Sequence, residues 1–317
     1  MRPTIMLAGL AAATLALGGT AAHAQTKKTI AVVLGVKGSP FYEALACGAK
    51  DEAAKLGYTL TISAPDQFQA DAQTPVIDAV GAAMPAAAAI VPTDAQALMR
   101  PIKSLADRGI KILTIDQTLA NPSFVQTQIV TDNYAGGRMA GEAMAKLLGG
   151  KGKVYIVATP PGLQAQDDRV SGFIAAVKKY PGMTVVGHDY VNDDPQKAAE
   201  IVTSAISAHP DLAGIFANND QGAIGAVTGL RQAGAVGHIK LVAYDAAIAE
   251  VNALKNGSIS ALIAQNPKQE GALAISLADK VLKGETLPKL TDSQLVPIMA
   301  GDTKTADEYE YKADCTF

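Results

Sequence analysis

The sequence is poor in charged residues and concentrates neither sign of charge. Only 18% of its 317 residues are Asp, Glu, Lys or Arg, and the formal net charge is −3. Lysine and arginine are scattered along the chain, so it lacks the basic face that binding a nucleic-acid backbone requires. Hydrophobic residues make up 49% of the chain, which is enough to fill buried cores and is not the composition of a disordered protein. We therefore expect a folded protein that does not bind nucleic acid.

Residues that perform catalysis or bind metals are also scarce. The three histidines that follow the leader segment, His188, His209 and His238, are isolated and lack the spacing of metal ligands. No GxSxG stretch occurs, and neither cysteine lies in a nucleophile signature. The segment LLGGKGKV lacks the Lys-Ser or Lys-Thr that ends a phosphate-binding loop. We expect no metal site, no cofactor and no enzymatic activity.

The first 24 residues have the pattern of a secretory signal peptide. Arg2 precedes a short apolar run from Ile5 to Leu17, and Ala22-His23-Ala24 is the small-x-small pattern that signal peptidase reads. A membrane anchor is the alternative, but the run is short for crossing a bilayer. No later segment of the sequence has the pattern of a membrane span. We predict cleavage after Ala24 and a soluble periplasmic or extracellular protein.

The only two cysteines, Cys47 and Cys315, lie far apart in the sequence. A secreted protein folds in an oxidising compartment, where two thiols can pair. The alternative is two unrelated thiols, one buried in a helix and one exposed, but an exposed free thiol is a liability outside the cell. We predict a disulfide between them that fastens the segment around Cys315.

The hydrophobic pattern predicts an α/β protein with two lobes. From Thr29 onward, short β-branched runs alternate with amphipathic helical stretches, which is typical of a parallel sheet covered by helices. After a connecting segment, FVQTQIVTDN, the alternation restarts. The helices of this second series are predicted at about 134–148, 167–179, 195–208, 221–233 and 247–256. A chain of 317 residues exceeds what one core usually fills, so we predict two sheets with a cleft between them.

Polar residues follow the predicted strands at the edge where their carboxyl ends meet. They are Asp94, Asp116-Gln117, Asn218-Asn219-Asp220, Asp245 and Gln265. Ligands of open α/β sheets bind at this edge. Each residue alone could be only a cap or a turn former. Together with Arg169 at a helix start, the set offers planar, bidentate groups that suit vicinal hydroxyls, although they could also bind an amino acid or a small amine.

Two aromatic residues, Phe41 and Tyr42, begin the first predicted helix directly after the first strand. Neighbours on a helix point about 100° apart. One ring can therefore pack inward while the other faces the cleft, or both can line it. Aromatic rings cover the apolar C–H face of a sugar, so this pair and the strand-end residues together favour a polyhydroxylated ligand.

After the leader, nearly the whole chain resembles the periplasmic sugar-binding proteins of the ribose-binding type, the substrate receptors of ABC importers. The motifs that carry the resemblance are SPFY, FANND and AYD in that order, supported by VPTD, IKILTID, TDNYAGGRMAG, DDRVSGF, LIAQNP and ADKVLKGE. The resemblance implies a type I periplasmic binding protein: two Rossmann-like lobes joined by a three-segment hinge, with crossings near Thr131, Gln265 and Ser293. The N-terminal lobe would comprise 25–131 plus 266–293, and the C-terminal lobe and tail 132–265 plus 294–317.

The resemblance also implies which residues touch the ligand. They are the residue before the Pro-aromatic-aromatic turn, the aromatic pair, two strand-end aspartates, the Arg of RxxGF, the second Asn of FANND and the hinge Gln: Ser39, Phe41, Tyr42, Asp116, Asp245, Arg169, Asn219 and Gln265. Two further positions depart from ribose receptors. Gln117 stands where those have an Arg, and Asp193, in a loosely aligned region, where those have an aromatic wall. Such a pocket is more acidic, which favours another pentose, a hexose, a polyol or a cationic sugar derivative.

The implied function is capture of a monosaccharide or polyol by hinge closure, and delivery to an ABC permease in the inner membrane by a monomer. A ligand-sensing receptor for chemotaxis or a sensor kinase would bind the same ligand with a different output. A secreted sugar-modifying enzyme is another alternative. A repressor of this architecture needs a DNA-binding helix-turn-helix where the signal peptide lies, which argues against it.

Overall fold

The computed structural model describes residues 28–315, so the predicted signal peptide and its cleavage site lie outside the described residues. The strands are β1 Thr29–Val33, β2 Thr59–Ser63, β3 Ala87–Ile90, β4 Lys111–Ile115, β5 Gln128–Thr131, β6 Lys151–Ala158, β7 Gly182–Tyr190, β8 Leu212–Ala217, β9 Lys240–Tyr244, β10 Ala261–Ala264, β11 Leu290–Ser293 and β12 Val296–Met299. The helices are α1 Pro40–Leu56, α2 Ala70–Ala83, α3 Met99–Asp107, α4 Asn133–Leu148, α5 Gln164–Val177, α6 Pro195–Ala208, α7 Asp220–Gln232, α8 Ile248–Lys255, α9 Pro267–Leu282 and α10 Thr303–Tyr309.

The strands form two six-stranded sheets. The first has the order β11-β5-β4-β3-β1-β2, and all of its pairs are parallel. The second has the order β12-β10-β9-β8-β6-β7, and β12 alone runs antiparallel to its neighbour. Strands β3 and β10 are buried along their whole length, as expected of strands covered on both faces. The predicted α/β fold with two parallel-dominated sheets is confirmed.

The chain passes between the two sheets three times. It leaves the first sheet after β5, returns after β10 by way of α9, and leaves again between β11 and β12. Helix α9 packs along α1 and against β3 and β4, so this late helix lies against the first sheet. We call the part built around the first sheet the first lobe and the part built around the second sheet the second lobe.

Each lobe contains a pair of helices that touch through glycines. At Gly48 of α1 and Gly271 of α9, an added Cβ would overlap the backbone carbonyl of the facing helix. Gly137 of α4 and Gly172 of α5 stand in the same relation in the second lobe. Since interiors are close-packed, a side chain at any of these positions would push the two helices apart. The glycines thus fix how closely α1 and α5, which carry site residues, approach their neighbours.

The structure corrects two details of the predicted element pattern. The segment FVQTQIVTDN is not a plain connection, because Gln128–Thr131 within it forms the buried strand β5 between β4 and β11. Strands β11 and β12 were also absent from the prediction. Within the described part of the chain, no helix has the length and apolar composition needed to cross a membrane.

Candidate functional site

A cavity of about 490 Å³ opens at the carboxyl ends of the two sheets and takes its walls from both lobes. The ten residues predicted to contact the ligand all line it: Ser39, Phe41, Tyr42, Asp116, Gln117, Arg169, Asp193, Asn219, Asp245 and Gln265. Of the other strand-end residues, Asp220 lines the cavity and Asn218 does not. The strand-end residue Asp94 is not among the lining residues. Its carboxylate accepts the backbone N–H groups of Gln96 and Ala97, so it serves its own turn.

The first lobe contributes the aromatic wall of the cavity. Pro40 occupies the first turn of α1, where its missing N–H costs nothing, and the two aromatic residues follow it at the cavity rim. The Phe41 and Tyr42 rings meet edge to face with centroids 5.3 Å apart. Tyr42 also stacks on Phe68, at 6.4 Å between centroids, and is only 7% exposed. Of the two arrangements the sequence allows, the structure has both rings lining the cavity.

Asp116 is the buried carboxylate of this wall. The Tyr42 hydroxyl donates to its Oδ2 at 2.9 Å, and the Gln117 amide lies 3.4 Å from the same oxygen. Burial raises the pKa of Asp116 to about 6, although the hydrogen bond from Tyr42 and the charge of Arg169 oppose that rise. The Tyr42 hydroxyl therefore holds the Oδ2 atom of the Asp116 carboxylate in place.

Three cavity residues have a strained backbone. Asp116, Asp193 and Asp245 adopt positive φ angles of 63°, 49° and 88°, and Met84 is the one other non-glycine residue among 28–315 that does so. Aspartate tolerates this left-handed region better than most residues, but each case still costs roughly 1–3 kcal/mol. The concentration of such residues in one cavity marks it as the functional region of the molecule.

Arg169 is a buried side chain of the second lobe and is 2% exposed. Its Nε donates to Asn133 Oδ1 at 2.8 Å, and its Nη1 donates to the Asn218 carbonyl at 3.0 Å. The guanidinium carbon lies 3.8 Å from the centroid of the Tyr244 ring. Burial alone would lower the pKa of Arg169, but Asp245 and the smaller contributions of Tyr244, Asp116 and Tyr311 together outweigh burial and raise that pKa. Arg169 is therefore a fixed cation.

Two other polar groups of this lobe are held in place by hydrogen bonds. Asp245 follows β9, and its Oδ1 accepts the Gln265 amide at 2.6 Å while its Oδ2 lies 3.6 Å from Arg169 Nη1. Asn219 caps α7, where its Oδ1 accepts a backbone N–H of that helix. The Asn219 amide donates to Asp193 Oδ1 at 2.6 Å. Asp193 therefore lines the cavity and is also hydrogen-bonded to Asn219, which is itself predicted to contact the ligand.

The three crossings between the lobes meet at one buried carboxyl group, that of Glu270. The hydroxyls of Thr131 and Ser293 lie 2.9 and 2.6 Å from its Oε1, and Thr131 also donates to Gln265 Oε1 at 2.8 Å. Burial and, to a smaller extent, the charge of Asp116 raise the pKa of Glu270 to about 8, against the hydrogen bonds from the two hydroxyls. Hydrogen bonds thus connect the hinge, through Gln265, to Asp245 in the cavity.

Comparison with known proteins identifies the family of this chain. Residues 30–286 match the model of the periplasmic binding protein domain. A ribose import binding protein of Salmonella typhimurium is 34% identical over 283 residues, which are 88% of this chain and 93% of the relative. The chain belongs to the periplasmic binding protein family. A member from Pseudomonas aeruginosa, a D-ribose/D-allose-binding protein, is 29% identical and covers 84% of this chain and 86% of its own.

Solved structures of periplasmic binding proteins have the same fold. An ABC transporter solute-binding protein from Agrobacterium vitis, bound with α-D-tagatopyranose, superposes with a TM-score of 0.86 at 33% identity, over 90% of this chain and 100% of that chain. A carbohydrate transporter solute-binding protein from Agrobacterium radiobacter, in complex with D-arabinose, has a TM-score of 0.82 at 26% identity, over 90% and 99%.

These relatives are substrate-binding components of ABC importers and not enzymes. The predictions of the family, of the type I fold and of a solute-binding role without catalysis are therefore confirmed. The predicted disulfide is also present between Cys47 and Cys315. The ligand contacts of the ten cavity residues stay a prediction, which their convergence on one cavity supports.

Sequence reasoning missed several residues of this region, among them Phe68, Gln166 and Glu270. Phe68 lies in the loop after β2, where a lone aromatic residue among polar neighbours was the available signal. Gln166 precedes Arg169 by three residues on α5, so helical spacing places both on one face. Its Oε1 is buried and has no hydrogen-bond partner among the described residues. Glu270 gave no signal, because an acidic residue in a first helical turn usually serves only the helix dipole.

Proposed function

We propose that this periplasmic binding protein captures a monosaccharide or polyol between its lobes by hinge closure and delivers it to the permease of an ABC importer. The observation that carries the proposal is the cavity, which combines aromatic rings with carboxylate, amide and guanidinium groups from both lobes. Such groups match hydroxyls that both donate and accept, while the rings match a C–H face. The relatives whose names specify ribose, allose, tagatose and arabinose support a carbohydrate.

Closure would follow from contacts that both lobes make with one ligand. A ligand shifts an open–closed equilibrium only through its different affinity for the two states. Phe41 and Tyr42, in the first lobe, would cover the C–H face of the ligand. Asp116, in the same lobe, would accept hydrogen bonds from the ligand hydroxyls. The remaining polar contacts would come from Ser39, Gln117, Arg169, Asp193, Asn219, Asp245 and Gln265.

The charge balance of the cavity narrows the ligand class. Four carboxyl groups line the cavity, those of Asp116, Asp193, Asp220 and Asp245, against two cations. The cations are the buried guanidinium of Arg169 and the exposed ammonium of Lys37, which is paired with Asp66. Ionised carboxylates only accept hydrogen bonds, so the ligand must be rich in donors. We infer a neutral hexose, pentose or polyol, or a cationic sugar derivative, and not a sugar acid or sugar phosphate.

The cellular setting and the lobe boundaries belong to the same proposal. Cleavage after Ala24 would release a monomer into the periplasm. Its N-terminal lobe would comprise 25–131 plus 266–293, and its C-terminal lobe and tail 132–265 plus 294–317. Mass spectrometry of the exported protein tests the cleavage site, and sedimentation tests the monomer.

Calorimetry on residues 25–317 tests the ligand class, with D-ribose, D-allose, D-arabinose, D-tagatose, xylitol, D-glucosamine and two amino acids as ligands. Asp245→Asn should weaken the best ligand by roughly 10- to 100-fold, because a charge-assisted acceptor of buried hydroxyls is lost. Asp94→Asn is the matched control, since Asp94 follows a strand and serves its own turn. Binding only of an amino acid would overturn the carbohydrate class, and equal affinities of both variants would remove Asp245 from the site.

A further inference from the structure

The segment after β12 begins on the second lobe. Helix α10 packs against α8, and Lys255 of α8 forms an ion pair with Asp307 of α10. Two residues after α10, the backbone N–H of Tyr311 donates to the carbonyl of Ala246, at 3.0 Å. The first part of this segment is therefore attached to the same loop that carries Asp245.

The same segment ends on the first lobe. Lys268 of α9 lies 3.0 Å from Asp314, in an exposed ion pair. Cys315 is bonded to Cys47 of α1, and both of these helices pack against one another beside the first sheet. Exposed ion pairs contribute little to stability, so the covalent bond is the durable attachment. Residues 303–315, which we call the strap, therefore connect the two lobes in addition to the three crossings.

Tyr311, in the middle of the strap, lies directly behind the cavity and is 2% exposed. Its hydroxyl donates to Asp245 Oδ1 at 3.0 Å and accepts the backbone N–H of Gln265 at 3.2 Å. Its ring meets the ring of Phe41 edge to face, with centroids 5.6 Å apart. It is not among the residues that line the cavity. Tyr311 thus contacts, from behind, one cavity residue of each lobe and one residue of a crossing.

We propose that the strap is a fourth, covalent connection between the lobes and that Tyr311 is a positioning residue for ligand binding. This inference rests on the proposed function. A cross-link removes conformations from the ensemble that it constrains, and here it would exclude the most widely opened arrangements of the lobes. Ordering the site before the ligand arrives lowers the cost of binding. The Tyr311 hydroxyl orients the Asp245 carboxylate, whose backbone is already strained, and its ring supports Phe41.

The positioning role is tested by Tyr311→Phe, which removes the hydroxyl and keeps the ring. The dissociation constant of the best sugar should rise by about tenfold, equivalent to about one charge-assisted hydrogen bond. In an Asp245→Asn background the same substitution should have little further effect, because the two residues act through one contact. Tyr309→Phe, which also removes a tyrosine hydroxyl from the strap, should not change the dissociation constant. A purely structural role would weaken binding equally in both backgrounds and would overturn the positioning role.

The covalent connection is tested by the pair Cys47→Ala with Cys315→Ala, or by wild type reduced under native conditions if the variant folds poorly. Small-angle scattering should give a larger radius of gyration for the ligand-free, unlinked protein and an unchanged radius for the sugar-saturated protein. The dissociation constant should rise by roughly 3- to 10-fold through the added cost of ordering. Equal ligand-free radii with and without the disulfide would overturn the strap as a lobe connection. This measurement needs no ligand, so it separates failure of the strap from failure of the proposed function.

Discussion

The two walls of the cavity differ in chemistry although they belong to lobes of the same architecture. The first wall is built around three aromatic rings, those of Phe41, Tyr42 and Phe68, with one buried carboxylate. The second is built around Arg169 and Asp245, which are held by hydrogen bonds on several sides. Ring contacts are tolerant of direction, whereas charged hydrogen bonds are not. The first wall is therefore suited to retaining any sugar, and the second to distinguishing among sugars.

The largest effect should come from removing the cation of the second wall. Arg169→Met removes the guanidinium donor to the carbonyl of Asn218 and to the amide oxygen of Asn133, and it leaves the buried Asp245 carboxylate without its cationic partner. Breaking a buried charged cluster in this way costs about 3–5 kcal/mol of unfolding free energy, and binding should fall below detection. Urea denaturation and calorimetry measure both effects.

The matched control is Arg138→Met on α4, whose guanidinium is exposed and pairs with Glu142. It should leave stability and affinity close to those of the wild type, because exposed ion pairs contribute little. If Arg169→Met retained sugar binding within tenfold, the charged wall would not be the discriminating one, and the contrast between the walls would be broken.

A second effect concerns Glu270, at the three crossings between the lobes, and the pH dependence of stability. Glu270 has a pKa of about 8 in the folded protein against 4.5 for an ordinary glutamate. Between these values the folded state keeps a proton that the unfolded state releases, so stability should fall as pH rises through this window, by up to about 1.4 kcal/mol per pH unit. Glu270→Gln, which is neutral throughout, should lose this slope.

Urea denaturation at several pH values between 5 and 8 measures the slope. The comparison is the difference between variant and wild type, because Asp116 and Asp220, whose pKa values burial raises to about 6, also titrate in this range. Glu285→Gln, an exposed glutamate, should keep the wild-type slope. If stability fell with pH equally steeply in Glu270→Gln and in the wild type, Glu270 would be ionised in the folded protein over this pH range.

The smallest effect should come from the aromatic wall. Phe68→Leu removes the ring that stacks on Tyr42 and should weaken binding by about 3- to 10-fold, as expected for one aromatic contact. The loss should be similar for every sugar that binds, since a ring face does not distinguish hydroxyls. Phe124→Leu is the control, because Phe124 is a partly buried residue of the same lobe that does not line the cavity. A changed order of sugar preference would assign discrimination to the first wall as well.

The residues of the site were predictable wherever they follow a strand or begin a helix. Asp116, Asp245 and Gln265 stand at the carboxyl ends of regular strands, and parallel sheets bring those ends to one edge. Hydrophobic periodicity locates those strands without any knowledge of the tertiary structure. The resemblance added Ser39 and Asp193, whose chemistry alone is unremarkable in a sequence.

The remainder was not predictable because it depends on distant segments. Strand β5 is four residues long and polar at both ends, and it is a strand only because β4 and β11 supply its partners. Glu270 acquires its raised pKa from burial among three crossings, a location that sequence patterns do not encode. Tyr311 contacts Asp245 across 66 positions of the chain, and nothing in its own neighbourhood indicates that contact.

The left-handed backbone of Asp116, Asp193 and Asp245 restricts which residue types these three positions can hold. Only glycine, asparagine and aspartate occupy such a conformation readily, so most single mutations at these positions would damage folding before they could alter preference. Inherited changes of ligand would then accumulate at neighbours with an ordinary backbone, such as Gln117 and Gln166. A library that randomises those two positions and keeps the three aspartates would sample the ligand specificities that this protein can acquire without loss of folding.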